Sequence, residues 1–351
     1  MSDPIVVWGA GAIGGTIGAH LKKAGHEVIF VDAADAHVDK VRTDGLHVGG
    51  PVADFRVHAP IHRPNEMKGT FKRIILCVKA HQTADAVRQL YRHLHEDGYV
   101  LSAQNGLNEN LIAQLVGQQR TVGACLNFSA SFEGPGEVVL AGRGLLTVGE
   151  LDGSVTPRIE DLAEVLRAFE PDTKVTENIW GYLWGKLGWL SMLYATALTT
   201  DPVAGCLIRP EFQRLFLALG IEVMTTARLE RADVVGFNGF DPAAFTPDVE
   251  MPDLVKSVAR MAYHYAMSGR THSEIYADLH GGRRTEVDAH IGAINDAASG
   301  HGLETPLVRR MIGMIHEIEE GRRPQALANL DELDRIIDPT GLRRAGVPLP
   351  E

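Results

Sequence analysis

Apolar residues follow two rhythms along this chain. As far as residue 176, short unbroken apolar runs alternate with stretches of helical spacing. The runs at 4–8, 27–32, 71–78, 99–103 and 121–126 are bounded by turn formers, the pattern of strands buried on both faces. Helical spacing follows the first run directly, then returns at 36–45, at 83–90 and at 157–169. Strands and helices in this alternation predict a doubly wound parallel sheet. Residues 128–150 change character. Apolar runs at 128–132, 137–140 and 144–149, separated by glycines, predict three short antiparallel strands, and 173–175 reads as a last short strand.

From residue 177 the spacing is helical. The stretch 179–198 is apolar on every side, carries Trp180, Trp184 and Trp189, and predicts a central buried helix. Further helices are expected at 211–232, 253–267, 285–298, 305–320 and 325–336. The organisation this implies is a first α/β domain at 1–176, an all-α domain at 177–337 and a tail at 338–351.

One junction gives the first domain a purpose. The first strand runs straight into Gly9-Ala10-Gly11-Ala12-Ile13-Gly14, a helix follows, and the second strand ends on Asp32. A G-x-G-x-x-G between strand and helix, with an acid about 20 residues on, is the dinucleotide-binding turn of a Rossmann domain. Gly9 permits the tight turn, Gly11 lets a pyrophosphate approach the backbone, and Gly14 lets the helix pack close to the sheet. The helix N-terminus supplies free N–H groups and a positive dipole end. Asp32 would accept from the adenosine ribose hydroxyls. It would also face the 2′-phosphate of NADP, and two like charges about 4 Å apart repel by about 4 kcal/mol at a surface-like dielectric. No base follows at once; Lys40 and Arg42 come later, on the next helix. NAD is therefore expected over NADP.

The remaining composition mostly excludes. A net charge of −11 argues against a nucleic-acid or acidic-membrane partner. No apolar run reaches the roughly 18 residues of a spanning helix. Met1-Ser2-Asp3-Pro4 leads into a strand rather than into a basic-then-apolar leader. Cys77, Cys125 and Cys206 are too scattered for a disulfide framework, so a cytoplasmic setting is expected. The histidines show no metal-ligand spacing, so no metal is expected.

In doubly wound sheets ligands bind beyond the carboxyl ends of the strands. That edge would gather residues 9–14, 79–83 and 105–106. In the second domain Lys186 interrupts an otherwise apolar helix, and a lysine is costly to bury unless paired or deprotonated. Such a lysine can exchange a proton with a developing alkoxide, or it can snorkel at the helix surface. Glu286 sits at a helix start, where periodicity alone gives it the role of steadying the N-terminus. Turn and capping roles are the default for Ser273, Asp278 and His280.

Together these segments resemble the ketopantoate reductase (2-dehydropantoate 2-reductase) family, from the first strand to about residue 320. The likeness rests on GAGAIGG at 9–15, CVKAHQT at 77–83, QNGLN at 104–108, GPGEV at 134–138, LWGKL at 183–187 and RTEVD at 284–288, in order and spacing. It implies an NAD(P)-dependent oxidoreductase that interconverts a small hydroxy acid or related alcohol with its keto form. Lys186 maps onto the family's catalytic lysine and Glu286 onto its substrate-side glutamate. Gly9, Ala10, Gly11, Ala12, Ile13, Gly14, Asp32, Val78, Lys79, Gln82, Asn105 and Gly106 are the implied cofactor contacts. Asn105, Ser273, Tyr194 and Asp278 are the implied substrate contacts. The apolar helices of the second domain leave room for a homodimer.

The chain departs from the family in three places. Members that reduce ketopantoate carry asparagines four and eight residues after the lysine, where this chain has Leu190 and Tyr194. The serine expected twelve residues before the glutamate is Glu274, with Ser273 one place earlier. A base usual after the second strand is Asp32. These changes turn the expected substrate away from ketopantoate. The alternatives are an authentic NADPH-dependent 2-dehydropantoate 2-reductase and a dinucleotide sensor without turnover; Lys186 and Glu286 at family spacing argue against the sensor.

Overall fold

The computed structural model describes residues 3–337, which fall into two compact units parting between Ile179 and Trp180. The tail expected at 338–351 lies outside the described residues.

The first unit runs β1 (Ile5–Trp8), α1 (Ala12–Lys23), β2 (Val28–Val31), α2 (Asp35–Asp44), β3 (Leu46–Gly49), β4 (Phe55–Val57), β5 (Ile61–His62), β6 (Phe71–Leu76), α3 (Thr83–Leu90), β7 (Leu94–Ser102), α4 (Asn108–Val116), β8 (Thr121–Gly134), β9 (Glu137–Glu150), α5 (Pro157–Leu166) and β10 (Lys174–Val175). One sheet holds them in the order β4-β3-β9-β8-β7-β6-β1-β2-β5, with β10 beside β9. From β8 to β5 all neighbours are parallel, as the alternating pattern predicts. Beyond β8 the sheet is mixed: β9 is antiparallel to β8, and β3 is parallel to β9 but antiparallel to β4.

Side chains alternate across a strand, so each strand feeds two cores. Ile5, Val7, Ile75 and Leu101 join α1, α2 and α5 on one face through Ile17, Val38, Val41, Ile159 and Leu162. Val6, Trp8, Ile74, Leu76 and Val100 join α3 and α4 on the other through Val87, Leu90 and Ile112. The chain leaves β1 toward one face and β6 toward the other. Their carboxyl ends are neighbours, held by the Cys77 N–H donating to the Trp8 carbonyl at 2.8 Å. This is the topological switch point where such sheets bind ligands.

The three short strands expected at 128–150 are a correction. β8 and β9 are each fourteen residues long and form one hairpin around the turn at Gly134-Pro135-Gly136. The other glycines mark irregular pairing and close approach. The ladder shifts register between Asn127 and Ser129, and a Cβ on Gly144 would lie 1.6 Å from the Asn127 carbonyl oxygen.

The second unit opens on α6 (Ile179–Ala197) and continues with α7 (Val203–Leu207), α8 (Gln213–Leu229), α9 (Met251–Met267), α10 (Glu274–His280), α11 (Val287–His290), α12 (Gly292–Gly300), α13 (Pro306–Glu319) and α14 (Ala328–Ile336). The helix expected at 285–298 is two, interrupted at Ile291. Helix α6 is buried along nearly its whole length, and among the described residues no helix is long and apolar enough to cross a membrane. An ion-pair lattice ties α13 to α14: Arg310 reaches Glu317 at 2.7 Å and Glu332 at 2.6 Å, and Arg323 reaches the same two carboxylates at 2.5 and 2.9 Å. Hydrogen bonds from Arg310 and Arg323 pull the Glu317 carboxyl from 4.5 down to about 2. A depressed carboxyl pKa gives stability that is complete above the unfolded value and is lost as pH falls through the folded one. Glu317→Gln is therefore expected to lower Tm at neutral pH, and the gap to the unsubstituted protein is expected to close between pH 4.5 and about 2. Thermal melts of both proteins across that range check it; a gap independent of pH would contradict it.

Candidate active site

Gly9 leaves β1 at φ +97°, and a Cβ there would lie 2.8 Å from the Val78 nitrogen, so only glycine lets the ends of β1 and β6 meet. A Cβ on Gly14 would lie 1.9 Å from the Gly9 oxygen. On Gly11 it would meet nothing within 4 Å. Helix α1 begins there with no side chain capping its N-terminus. Two glycines close the turn on the protein and the third leaves it open, which is the cradle a pyrophosphate needs. Burial pushes the nearby Cys77 thiol up, so it is a packing group rather than a nucleophile.

Asp32 braces this turn. Its Oδ2 accepts from the Ala10 N–H at 2.8 Å and its Oδ1 from the Ala34 N–H at 2.9 Å. The arginines nearby are already paired. Arg63 reaches Asp35 at 2.5 Å, Asp39 at 2.7 Å and Glu66 at 3.2 Å, while Arg42 pairs with Glu66 and Lys40 with Asp44.

Past β6 and β7 the chain makes two loops tied by buried amides and hydroxyls. Gln104 donates to the Val78 carbonyl and to Thr83 Oγ1, each at 2.8 Å. Thr83 donates to Asn108 Oδ1 at 3.1 Å, and the Asn108 amide donates to the Asn105 carbonyl at 2.6 Å. Lys79 and Gln82 are exposed at this edge, Val78 and Asn105 are half-buried, and Gly106 turns the second loop at φ +94°. The sequence pointed to Lys79, Gln82 and Asn105 but missed Thr83, Gln104 and Asn108. They sit inside the matching motifs, yet only the fold shows that they join them.

In the second unit Lys186 lies on α6 and is buried, 8 % exposed, which disposes of a snorkelling role. Two turns on, Tyr194 is wholly buried, and its hydroxyl lies 2.9 Å from His290 Nδ1. The Nε2 of that histidine is 4.0 Å from Glu286 Oε2. Burial drives the Tyr194 phenol well up and the Glu286 charge adds to the shift, so the phenol stays protonated. Glu286 stands at the N-cap position of α11, the helix end that periodicity gave it, and its side chain makes no capping bond there. His290 escaped the sequence reading; its only signal was a spacing of four from Glu286.

Two expected substrate residues also make local bonds. Ser273 caps α10 by accepting from the Tyr276 N–H at 3.1 Å, and Asp278 accepts from Arg283 at 2.9 Å. These are the default roles. Among the described residues His95, Glu96 and Asp97, near the amino end of β7, gather potential metal ligands, Glu96 and Asp97 being exposed.

Residues 5–153 match the model of the ketopantoate reductase PanE/ApbA family, and residues 178–319 match the model of its C-terminal domain. The chain belongs to the ketopantoate reductase family. That family is one of oxidoreductases acting on CH–OH groups, with an NAD(P)-binding Rossmann-like domain and a helical C-terminal domain. The chain is similar to the 2-dehydropantoate 2-reductase of Pyrococcus abyssi, 28 % identical over 91 % of this chain and 99 % of that one. With the enzyme of the same name from Halobacterium salinarum it shares 26 % over 89 % and 97 %. Among solved structures, a PanE/ApbA family ketopantoate reductase from Ralstonia eutropha superposes with a TM-score of 0.75 at 26 % identity, covering 91 % of this chain and 99 % of that one. A D-mandelate dehydrogenase solved with NADH and anilino(oxo)acetate shares the fold at a TM-score of 0.77 and 21 % identity, over 91 % and 99 %.

Proposed function

We propose that this protein is an NAD-dependent dehydrogenase that interconverts a small 2-hydroxy acid and its 2-oxo acid. The observation that carries the cofactor is the cradle at Gly11 with Asp32 beside it. The carboxylate suits ribose hydroxyls, and the bases that could take a 2′-phosphate are bound to Asp35, Asp39, Asp44 and Glu66. When bound, the nicotinamide supplies or accepts the hydride. Lys79 and Gln82 hold the dinucleotide at the sheet edge, and Asn105 orients its nicotinamide end. Lys186 gives a proton to the alkoxide as the carbonyl is reduced and takes it back in oxidation, a role worth about a hundred- to ten-thousand-fold in rate. Glu286 holds the substrate or keeps Lys186 charged.

Substrate choice follows from what stands after Lys186. Leu190 has no polar atom to offer, and the Tyr194 hydroxyl is taken by His290. Neither provides the amides that ketopantoate reducers of this family are expected to carry. A site that lacks the partners of a substrate hydroxyl loses several kcal/mol on it, so a 2-oxo acid with an apolar side chain suits this chain better. The mandelate dehydrogenase neighbour indicates that the fold can accommodate such acids.

Titration with NADH and NADPH, followed by tryptophan quenching, tests the cofactor. NADH is expected to bind at least tenfold more tightly, about 1.4 kcal/mol. Tighter NADPH binding would mean that Arg42 or Arg63 leaves its carboxylates for the phosphate, and would restore ketopantoate reduction as the better reading.

A further inference from the structure

His37 is buried to 1 % exposure on α2, and both ring nitrogens are committed. Nδ1 lies 3.0 Å from the Gly136 nitrogen in the β8–β9 turn, and Nε2 lies 3.0 Å from the Ala10 carbonyl oxygen. A backbone N–H can only donate, so Nδ1 accepts, and the hydrogen sits on Nε2, which donates to Ala10. Phe132 packs edge-on against the ring with centroids 5.2 Å apart. Ala10 stands between the first two glycines of the turn. Its N–H is already held by Asp32 at 2.8 Å. The two peptide planes that flank Ala10 are thus each pinned by one side chain.

A trans peptide sends its N–H opposite its carbonyl. Fixing the Ala10 carbonyl toward His37 therefore fixes the Gly11 N–H away from it. Gly11 is the residue above which space is open. We infer that His37 is a positioning residue for dinucleotide binding: it orients the 10–11 peptide so that the Gly11 N–H meets the pyrophosphate, and it braces that turn against the β8–β9 hairpin. The inference rests on the dinucleotide reading proposed above. His37 touches no cofactor in this scheme and acts through the backbone.

The test separates the two bonds. A glutamine amide nitrogen is as many bonds from Cα as Nε2, so His37→Gln keeps the donor to Ala10. An asparagine oxygen stands where Nδ1 does, so His37→Asn keeps only the Gly136 bond. NADH dissociation constants by fluorescence, Tm without cofactor, and kcat at saturating NADH would be measured for both variants and for His37→Ala. His37→Gln is expected to bind NADH within about threefold of the unsubstituted protein. His37→Asn and His37→Ala are expected to bind about tenfold more weakly, the scale of one buried hydrogen bond lost. In all three, kcat at saturation is expected to stay within about twofold, the signature of a cofactor-positioning role. Equal NADH affinity in all variants, or a loss that tracks Tm and is the same for Gln and Asn, would overturn the inference and leave the dinucleotide reading standing. Failure of the unsubstituted protein to bind NADH would overturn both.

Discussion

Lys186→Ala is expected to lower kcat by about a hundred- to ten-thousand-fold while NADH affinity stays within a few-fold. The lysine lies in the second unit, on a helix buried along nearly its whole length, and the dinucleotide cradle lies in the first. Its loss should therefore remove the proton and spare the cofactor. Stopped-flow or steady-state turnover beside an NADH titration gives both numbers. A parallel loss of NADH binding and of Tm would make Lys186 a structural residue. Burial alone does not separate these outcomes, since an ammonium in such a helix is costly whatever it does.

The second large effect divides two glycines three residues apart. Gly14→Ala places a Cβ 1.9 Å from the Gly9 oxygen and 2.8 Å from the Cys77 Cβ, so the helix must back away from the sheet. Overpacking of this kind costs about 3 kcal/mol or more, which is about 6–12 °C in Tm for a unit of this size. Gly11→Ala places its methyl in open space at φ −73°, outside the left-handed region that favours glycine, and should change Tm far less than Gly14→Ala does. Its expected cost is in NADH affinity, about tenfold or more, because the methyl occupies the pyrophosphate's approach. Melting curves and NADH titrations of both variants check the contrast. Equal behaviour of the two in both assays would refute the division of labour between them.

Much of this was legible in the sequence because the signals were local. Four-residue apolar runs such as Ile5–Trp8 have one good solution, a strand buried on both faces, and the glycine turn after it restricts what comes next. The sequence divides the hairpin of β8 and β9 into a strand at 121–126 and three more within 128–150, in part because Gly142 and Gly144 look like turns from outside; in the fold they serve an irregular stretch of the ladder. Helix α10 was missed as an element because it has only seven residues and little periodicity, although its cap Ser273 was in view. The site divides the same way. Gly9, Gly11, Gly14 and Asp32 announce themselves by spacing. His37, Gln104 and His290 do not, because each works on a group 27, 26 or 96 residues away. No pattern within a segment records such a partner. Glu286 shows the limit from the other side: periodicity assigned it to a helix end, where it does stand, but gave no sign that its carboxylate lies 4.0 Å from His290.

The most direct test of the central claim is turnover itself. Initial rates of reduction would be compared for NADH and NADPH against ketopantoate and a panel of 2-oxo acids with apolar side chains. The expected result is a higher kcat/KM with NADH and an apolar 2-oxo acid than with NADPH and ketopantoate, lowered about a hundred-fold or more by Lys186→Ala. Fastest turnover with NADPH and ketopantoate would contradict both the Asp32 argument and the reading of Leu190 and Tyr194.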